Sequence, residues 1–204
     1  MLRILAGEKR GMQLRVAHGA AVRPTAGNIR QVLFDILGPR VAGTRWLDLY
    51  AGSGAVGLEA LSRGATESVL VESARRAIEA IRTNIGNLDN HGRCTLLGLP
   101  VEKALKKLAA AGERFDIVFL GPPYYRDEAK RCLLAIGQPP AMLVVPSPDS
   151  LVAAQISIHC DVPAKCGLLI LEREKRFGDA RLCFYRLEPQ AIPAGPSAEP
   201  EAQP

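Results

Sequence analysis

With 204 residues, 48% of them hydrophobic and 23% charged, the chain has the make-up of one compact domain with a buried core. No apolar run approaches the roughly 18 residues that a membrane-spanning helix needs, and the Arg- and Lys-containing start does not read as a signal peptide, so a cytosolic protein is expected. Five cysteines without a C-x-x-C pair, and three histidines (His18, His91, His159) far apart in the chain, argue against a disulfide framework and a metal site.

The net charge of +5 is unevenly spread. Residues 1–45 hold eight basic side chains (Arg3, Lys9, Arg10, Arg15, Arg23, Arg30, Arg40, Arg45) against Glu8 and Asp35, which leaves the remainder close to neutral. A basic segment on a near-neutral body points to a polyanionic partner. Within it, LRILAG and MQLRV read as a short hairpin, and a helix is expected near Gly27–Leu37. Residues 1–45 are therefore set apart as an N-terminal extension.

From residue 46 to 188, short apolar runs alternate with helical patterns. The runs are Trp46–Tyr50, Ser68–Val71, Thr95–Leu97, Phe115–Leu120, Leu151–Ile156, Leu168–Leu171 and Leu182–Tyr185. Helices are expected at Val56–Arg63, Ala74–Asn87, Val101–Ala111 and Asp127–Ile136. Such alternation predicts an α/β fold, a mostly parallel sheet covered on both faces. Met142–Val145 competes with Leu151–Ile156 for the fifth strand. The last two runs lack a helix between them and are joined by a turn at Gly178-Asp179, so they should pair antiparallel. The tail, 189–204, has five prolines in sixteen residues and is expected to be disordered.

The strongest local signal is Trp46-Leu-Asp-Leu-Tyr-Ala-Gly-Ser-Gly-Ala-Val-Gly-Leu-Glu59. A strand ends at Tyr50, glycines allow a tight turn, and a helix begins near Val56. Gly52, Gly54 and Gly57 spell G-x-G-x-x-G, and Glu72 closes the next strand, where a ribose hydroxyl would be held. By itself this turn fits a nicotinamide dinucleotide as well as any other adenosine cofactor. Asp48 separates the two. A pyrophosphate sits against a helix N-terminus that favours anions, and a carboxylate just before the turn opposes it. S-adenosylmethionine presents an ammonium and a sulfonium instead, which a carboxylate attracts. Asp48 could also simply cap the turn.

Downstream, Phe115–Leu120 runs into Gly121-Pro122-Pro123-Tyr124-Tyr125. Ligands of a doubly wound sheet lie outside the carboxyl ends of its strands, so this loop should face the glycine turn. Two prolines hold it extended, able to aim a carbonyl at an amino group, and Tyr124 could stack on an extruded base.

Together these residues resemble the bacterial family of 16S rRNA guanine-N2 methyltransferases. The likeness runs through RILAGEKRGMQL, Arg23-Pro24-Thr25 followed by IRQVLFDIL, LDLYAGSGAVGLEALSRGA, VLVES, FDIVFLGPPY and EREKRFGDARLCFYRL. It implies a class I methyltransferase (Rossmann-like) fold of seven strands, mostly parallel with the last antiparallel. It further implies S-adenosylmethionine as donor, and 16S rRNA or a small-subunit assembly intermediate as partner, bound by a monomer. Carried over, Asp48, Ala51, Gly52, Ser53, Gly54, Glu72, Ser73 and Val101 would surround the donor. Gly121, Pro122, Pro123 and Tyr124 would receive the base, and Arg10, Arg23 and Arg30 would contact RNA.

The departures fall on the substrate side. Where the family has Asp before Pro-Pro-Tyr, this chain has Gly121. RPTTDRVRE becomes Arg23-Pro-Thr-Ala26-Gly27-Asn28-Ile-Arg30-Gln31. The Asp or Asn that follows the third strand is absent around Leu99-Pro100, and a Glu ending the fifth strand is matched by Gln155. An exocyclic amine must pyramidalise to attack a methyl group, and acceptors for its N–H groups favour that change. Losing one such partner can cost on the order of 3 kcal/mol, about a hundredfold in rate. Proximity to the donor would preserve slow transfer. The alternatives are a weakened relative that binds rRNA during assembly, and an amino methyltransferase of DNA or another RNA base, since Pro-Pro-Tyr suits adenine N6 or cytosine N4 equally.

Overall fold

The computed structural model describes residues 2–17, 24–88, 92–122, 128–138, 142–161 and 163–191. Arg23, Pro123, Tyr124 and the tail beyond residue 191, each singled out above, lie outside the described residues. The elements are α1 (Pro24–Leu37), β1 (Arg45–Leu49), α2 (Ala55–Ser62), β2 (Glu67–Val71), α3 (Arg75–Leu88), β3 (Cys94–Leu97), α4 (Val101–Ala110), β4 (Ile117–Leu120) and α5 (Glu128–Gly137). They continue with β5 (Leu151–Ser157), β6 (Lys165–Cys166), β7 (Leu169–Phe177) and β8 (Ala180–Leu187). Leu151–Ser157 takes the fifth strand, while Val144 makes only an isolated bridge to Phe115.

One sheet contains all eight strands in the order β3-β2-β1-β4-β5-β8-β7-β6. The first five are parallel to one another, whereas β8 runs antiparallel to both β5 and β7. Seven strands are expected from the sequence. The eighth, β6, is a two-residue addition at the edge. The order reverses direction between β1 and β4, and such a switch point opens a crevice at the strands' carboxyl ends.

β1 shows why the sheet is covered on both faces, as parallel sheets almost always are. Trp46 packs on one side with Ile29, Leu33, Phe34, Leu58, Leu61 and Ile81, and its ring stacks on Phe34 at 5.5 Å. Leu47 and Leu49 point to the other side, among Val101, Leu105, Leu108, Leu133 and Ile136 of α4 and α5. Alternation thus turns Asp48 towards α2, inside the first layer.

The N-terminal segment belongs to that layer. Its hairpin is a single Arg3–Gln13 bridge flanked by main-chain bonds such as Leu14 N–H to Leu2 O at 2.9 Å. Ile4 and Leu14 are buried in the same cluster as Trp46. The helix expected from Gly27 starts earlier, at Pro24, a residue favoured at a first helical position because its missing N–H has no partner to lose. At the other end, Pro189–Ala191, inside the tail expected to be disordered, form a 3-10 turn.

Candidate functional site

At the carboxyl end of β1 the chain passes through Tyr50, Ala51 and the glycine turn into α2. Ala51 N–H donates to Val71 O at 3.0 Å, which ties the turn to the end of β2. Gly52 and Gly54 have φ of +59° and +77°, and Gly54 is the N-cap of α2 without a side-chain cap. Gly57 serves a different need. A Cβ there would lie 2.2 Å from Leu70 Cδ2 and 2.7 Å from Ser68 Oγ, so only glycine lets α2 settle onto β1 and β2.

Two carboxylates hold this turn from opposite sides. Asp48, 1% exposed, accepts the Gly57 N–H on Oδ2 at 2.9 Å. Its Oδ1 is buried and has no partner among the described residues. Burial pushes this carboxyl up to about 7, with the negative Glu72 adding to the rise and the Gly57 N–H opposing it. Glu72 takes Gly52 N–H on Oε2 at 2.8 Å, and Ser73 and Ala74 N–H on Oε1, each at 2.8 Å. Capping by Asp48 is therefore real, and half of its carboxylate remains without a donor.

Beside the turn lies a cavity of about 160 Å³ lined by Tyr50, Glu72, Ser73, Pro100, Val101, Glu102 and Glu128. A larger one, about 420 Å³, adjoins it between α4 and α5 and shares Tyr50, Glu102 and Glu128 with it. Among the described residues Tyr50 alone is a non-glycine with positive φ, at +64°. For a bulky side chain that conformation costs on the order of 1–3 kcal/mol and marks a position where the surroundings dictate the backbone.

β4 delivers the second loop to the same edge. Leu120 pairs with Leu49, and Gly121 N–H donates to Leu49 O at 3.3 Å. Pro122, which follows, is buried. Of the substrate-side residues expected here, Gly121 and Pro122 thus stand next to the glycine turn. Among the described residues, a Cβ on Gly121 would meet only the Phe119 ring, at 3.5 and 3.7 Å, which is ordinary contact.

The basic extension divides in two. Arg3, Arg10 and Arg15 are exposed on the hairpin. Arg30, expected to touch RNA, is only 4% exposed and donates from Nη2 to Arg3 O at 2.6 Å. Burial lowers its pKa against the attraction of Glu59, and its Nε and Nη1 have no partner among the described residues. A guanidinium enclosed this way supports the hairpin instead of facing a phosphate. Arg40 is exposed and bonds to Leu37 O and Ile36 O, whereas Arg45 pairs with Glu67 and Glu113, which meet its charge.

Several residues not expected at the site complete it. Glu59, fully buried, accepts Leu5 and Ala6 N–H at 2.7 and 2.9 Å, and Ser62 Oγ joins Lys9 N–H to Ala6 O. Asn84 of α3 grips Arg15 main chain and Ser53 O together. Polar residues within the buried stripe Ala77–Ala80–Ile81–Asn84–Leu88 and in the otherwise apolar α2 were the available signal. No group of His, Cys, Asp and Glu suited to a metal ion occurs among the described residues, and no helix there is long and apolar enough to cross a membrane.

The model of the family described as conserved hypothetical protein 95 matches residues 2–186. Ribosomal RNA small subunit methyltransferase D of Escherichia coli (strain K12) is 30% identical, an alignment covering 93% of this chain and 91% of that protein. Among solved structures, Escherichia coli yhhF superposes with a TM-score of 0.77 at 30% identity, over 92% of this chain and 98% of that one. Hypothetical protein TTHA0928 of Thermus thermophilus gives 0.74 at 32% identity, over 90% and 98%.

Proposed function

The chain belongs to the conserved hypothetical protein 95 family, that of ribosomal RNA small subunit methyltransferase D, and we propose that it transfers a methyl group from S-adenosylmethionine to the exocyclic N2 of a guanine in small-subunit rRNA. The observation that carries the reading is the buried Oδ1 of Asp48, which lacks a donor at the edge of the glycine turn. A dinucleotide phosphate would be repelled there, whereas the ammonium and sulfonium of a methyl donor supply what the oxygen lacks. Among the described residues, chain neighbours aside, no atom lies within 4 Å of where a Cβ on Gly52 would stand, which leaves room for such a ligand against the backbone.

In this reading Asp48 and the turn of Ala51, Gly52, Ser53 and Gly54 hold the methionine portion. Glu72 and Ser73 take the ribose, and Val101 packs on the adenine. The bound donor supplies an electrophilic methyl group. The chain's own task is to bring a guanine amine into line with it and to accept amine protons as the nitrogen pyramidalises. Pro122 offers a carbonyl for one of them. Gly121 has no side chain for the second, so the backbone or a solvent molecule takes that part. Proximity carries most of the remaining rate. Pro123 and Tyr124 are assigned to the base pocket and Arg23 to RNA by the family motif alone. The exposed Arg3, Arg10 and Arg15 would meet the phosphates.

Nucleoside mass spectrometry of rRNA from a deletion strain tests this. Loss of one N2-methylguanosine from the small-subunit RNA is expected, and an unchanged profile would refute the enzymatic reading. A second reading, rRNA binding with little turnover, is favoured by the bare Gly121.

A further inference from the structure

Of the three carboxylates on the 160 Å³ cavity, two are already committed. Glu72 accepts three main-chain N–H groups. Glu102 has a side chain 73% exposed, facing Arg131 at 3.9 Å, and is solvated. Glu128 differs from both. Its Oε1 accepts the Tyr50 hydroxyl at 2.9 Å, and no Lys or Arg pairs with it among the described residues. Its Oε2 has no hydrogen-bond partner among them either.

The donor chain that orients Glu128 has a defined direction. Tyr50 oxygen lies 3.1 Å from Cys132 Sγ as well. Burial raises the pKa of both Tyr50 and Cys132, so each keeps its proton near neutral pH. The thiol donates to the phenol and the phenol to Glu128, which leaves the carboxylate as the terminal acceptor. The Tyr50 backbone that presents this hydroxyl has φ +64°. Strain of that kind persists where surrounding structure, and often function, requires it.

The position of Glu128 fits one end of a nucleoside. Glu72, assigned to the ribose, follows β2 directly, while Glu128 opens α5 and lines the same cavity together with Pro100 and Val101. Leu99 and Pro100, which follow β3, provide no side-chain acceptor. We propose that Glu128, held by Tyr50, accepts an N–H of the donor's 6-amino group and selects adenine over a 6-oxopurine. Tyr50 is the positioning residue. This rests on the methyl-donor reading of the cleft.

Calorimetric titration of the intact protein with S-adenosylhomocysteine and S-inosylhomocysteine tests it. The wild type should prefer the adenosyl compound by about tenfold or more, because a 6-oxo group would set oxygen against carboxylate. Glu128→Gln should shrink the preference to about threefold or less, since its amide can donate to that oxygen. Tyr50→Phe should narrow it part of the way. A wild-type ratio retained in Glu128→Gln, or a collapse produced by Glu102→Gln instead, overturns the assignment. Equal wild-type affinity for both compounds defeats this inference and leaves the donor reading standing. Failure to bind either defeats both.

Discussion

Asn84 donates its side-chain amide to the main-chain carbonyl of Ser53 at 2.9 Å, joining the middle of α3 to the glycine turn. The same amide donates to Arg15 O at 2.9 Å while its oxygen accepts Arg15 N–H at 2.7 Å. A single side chain with no solvent exposure therefore fastens the N-terminal hairpin to the segment assigned to the donor. The hairpin and the glycine turn thus share one anchor.

Replacing Asn84 with Ala leaves several main-chain groups short of partners in a buried place, at about 1–3 kcal/mol for the unsatisfied polar groups. For a chain of this size that corresponds to a fall in melting temperature of roughly 2–4 °C per kcal/mol. Scanning calorimetry should show the loss, and titration should show weakened S-adenosylhomocysteine binding in the same variant. Full donor affinity despite the lowered melting temperature would uncouple hairpin and turn.

Asp48 sets a pH dependence with a definite sign. Its folded-state pKa of about 7 lies above the ordinary carboxyl value of 3.8, so within that window the folded protein holds a proton that the unfolded chain has released. Stability from this group is greatest at the acidic end and falls as pH rises through the window. A cationic donor reverses the preference, because it favours the ionised carboxylate. Binding below pH 7 should release a proton, and affinity should increase as pH approaches 7. Calorimetry in buffers of different ionisation enthalpy measures that proton. Asp48→Asn should abolish the release and weaken binding while leaving the fold as stable at pH 8 as the wild type, or more so. Binding without proton exchange would contradict the role given to Asp48.

Among the described residues Gly121 has room for a larger side chain, since a Cβ there would meet only the Phe119 ring, at 3.5 Å. Gly121→Asp should supply the missing acceptor and raise the transfer rate by roughly tenfold to a hundredfold, with little change in melting temperature. Single-turnover kinetics on small-subunit particles would record it. An equal or lower rate in a well-folded variant would show that this position does not limit the reaction.

Exposed and buried arginines should behave differently on RNA. Arg10→Gln and Arg15→Gln should weaken binding and each reduce the slope of log affinity against log salt by roughly one. Arg30→Gln should lower the melting temperature and leave that slope unchanged, as its guanidinium bonds to Arg3 O inside the fold. A reduced slope for Arg30→Gln, measured by filter binding across salt concentrations, would return this residue to the RNA surface.

What was legible in the residues, and what was not, follows from the range of the interactions. β1, β2 and β4 are near-continuous apolar runs because both faces of the sheet are covered, and the glycine turn sits at the junction of one run with a helix. Both features are local. The Tyr50–Glu128 bond joins residues 78 apart, and Asn84 meets Arg15 across 69. No local pattern contains such pairings. Arg30 is intermediate. It shares the helical stripe of Leu33, Phe34 and Leu37, all buried, and that spacing announces an inward direction which its charge alone conceals.

The measurement closest to the central claim is transfer of label from tritiated S-adenosylmethionine to small-subunit assembly intermediates, followed by nucleoside analysis. Label is expected in N2-methylguanosine of the RNA, lost on Asp48→Asn and increased by Gly121→Asp. Label confined to adenine, cytosine or duplex DNA, or none from a protein that demonstrably binds the donor, would contradict it.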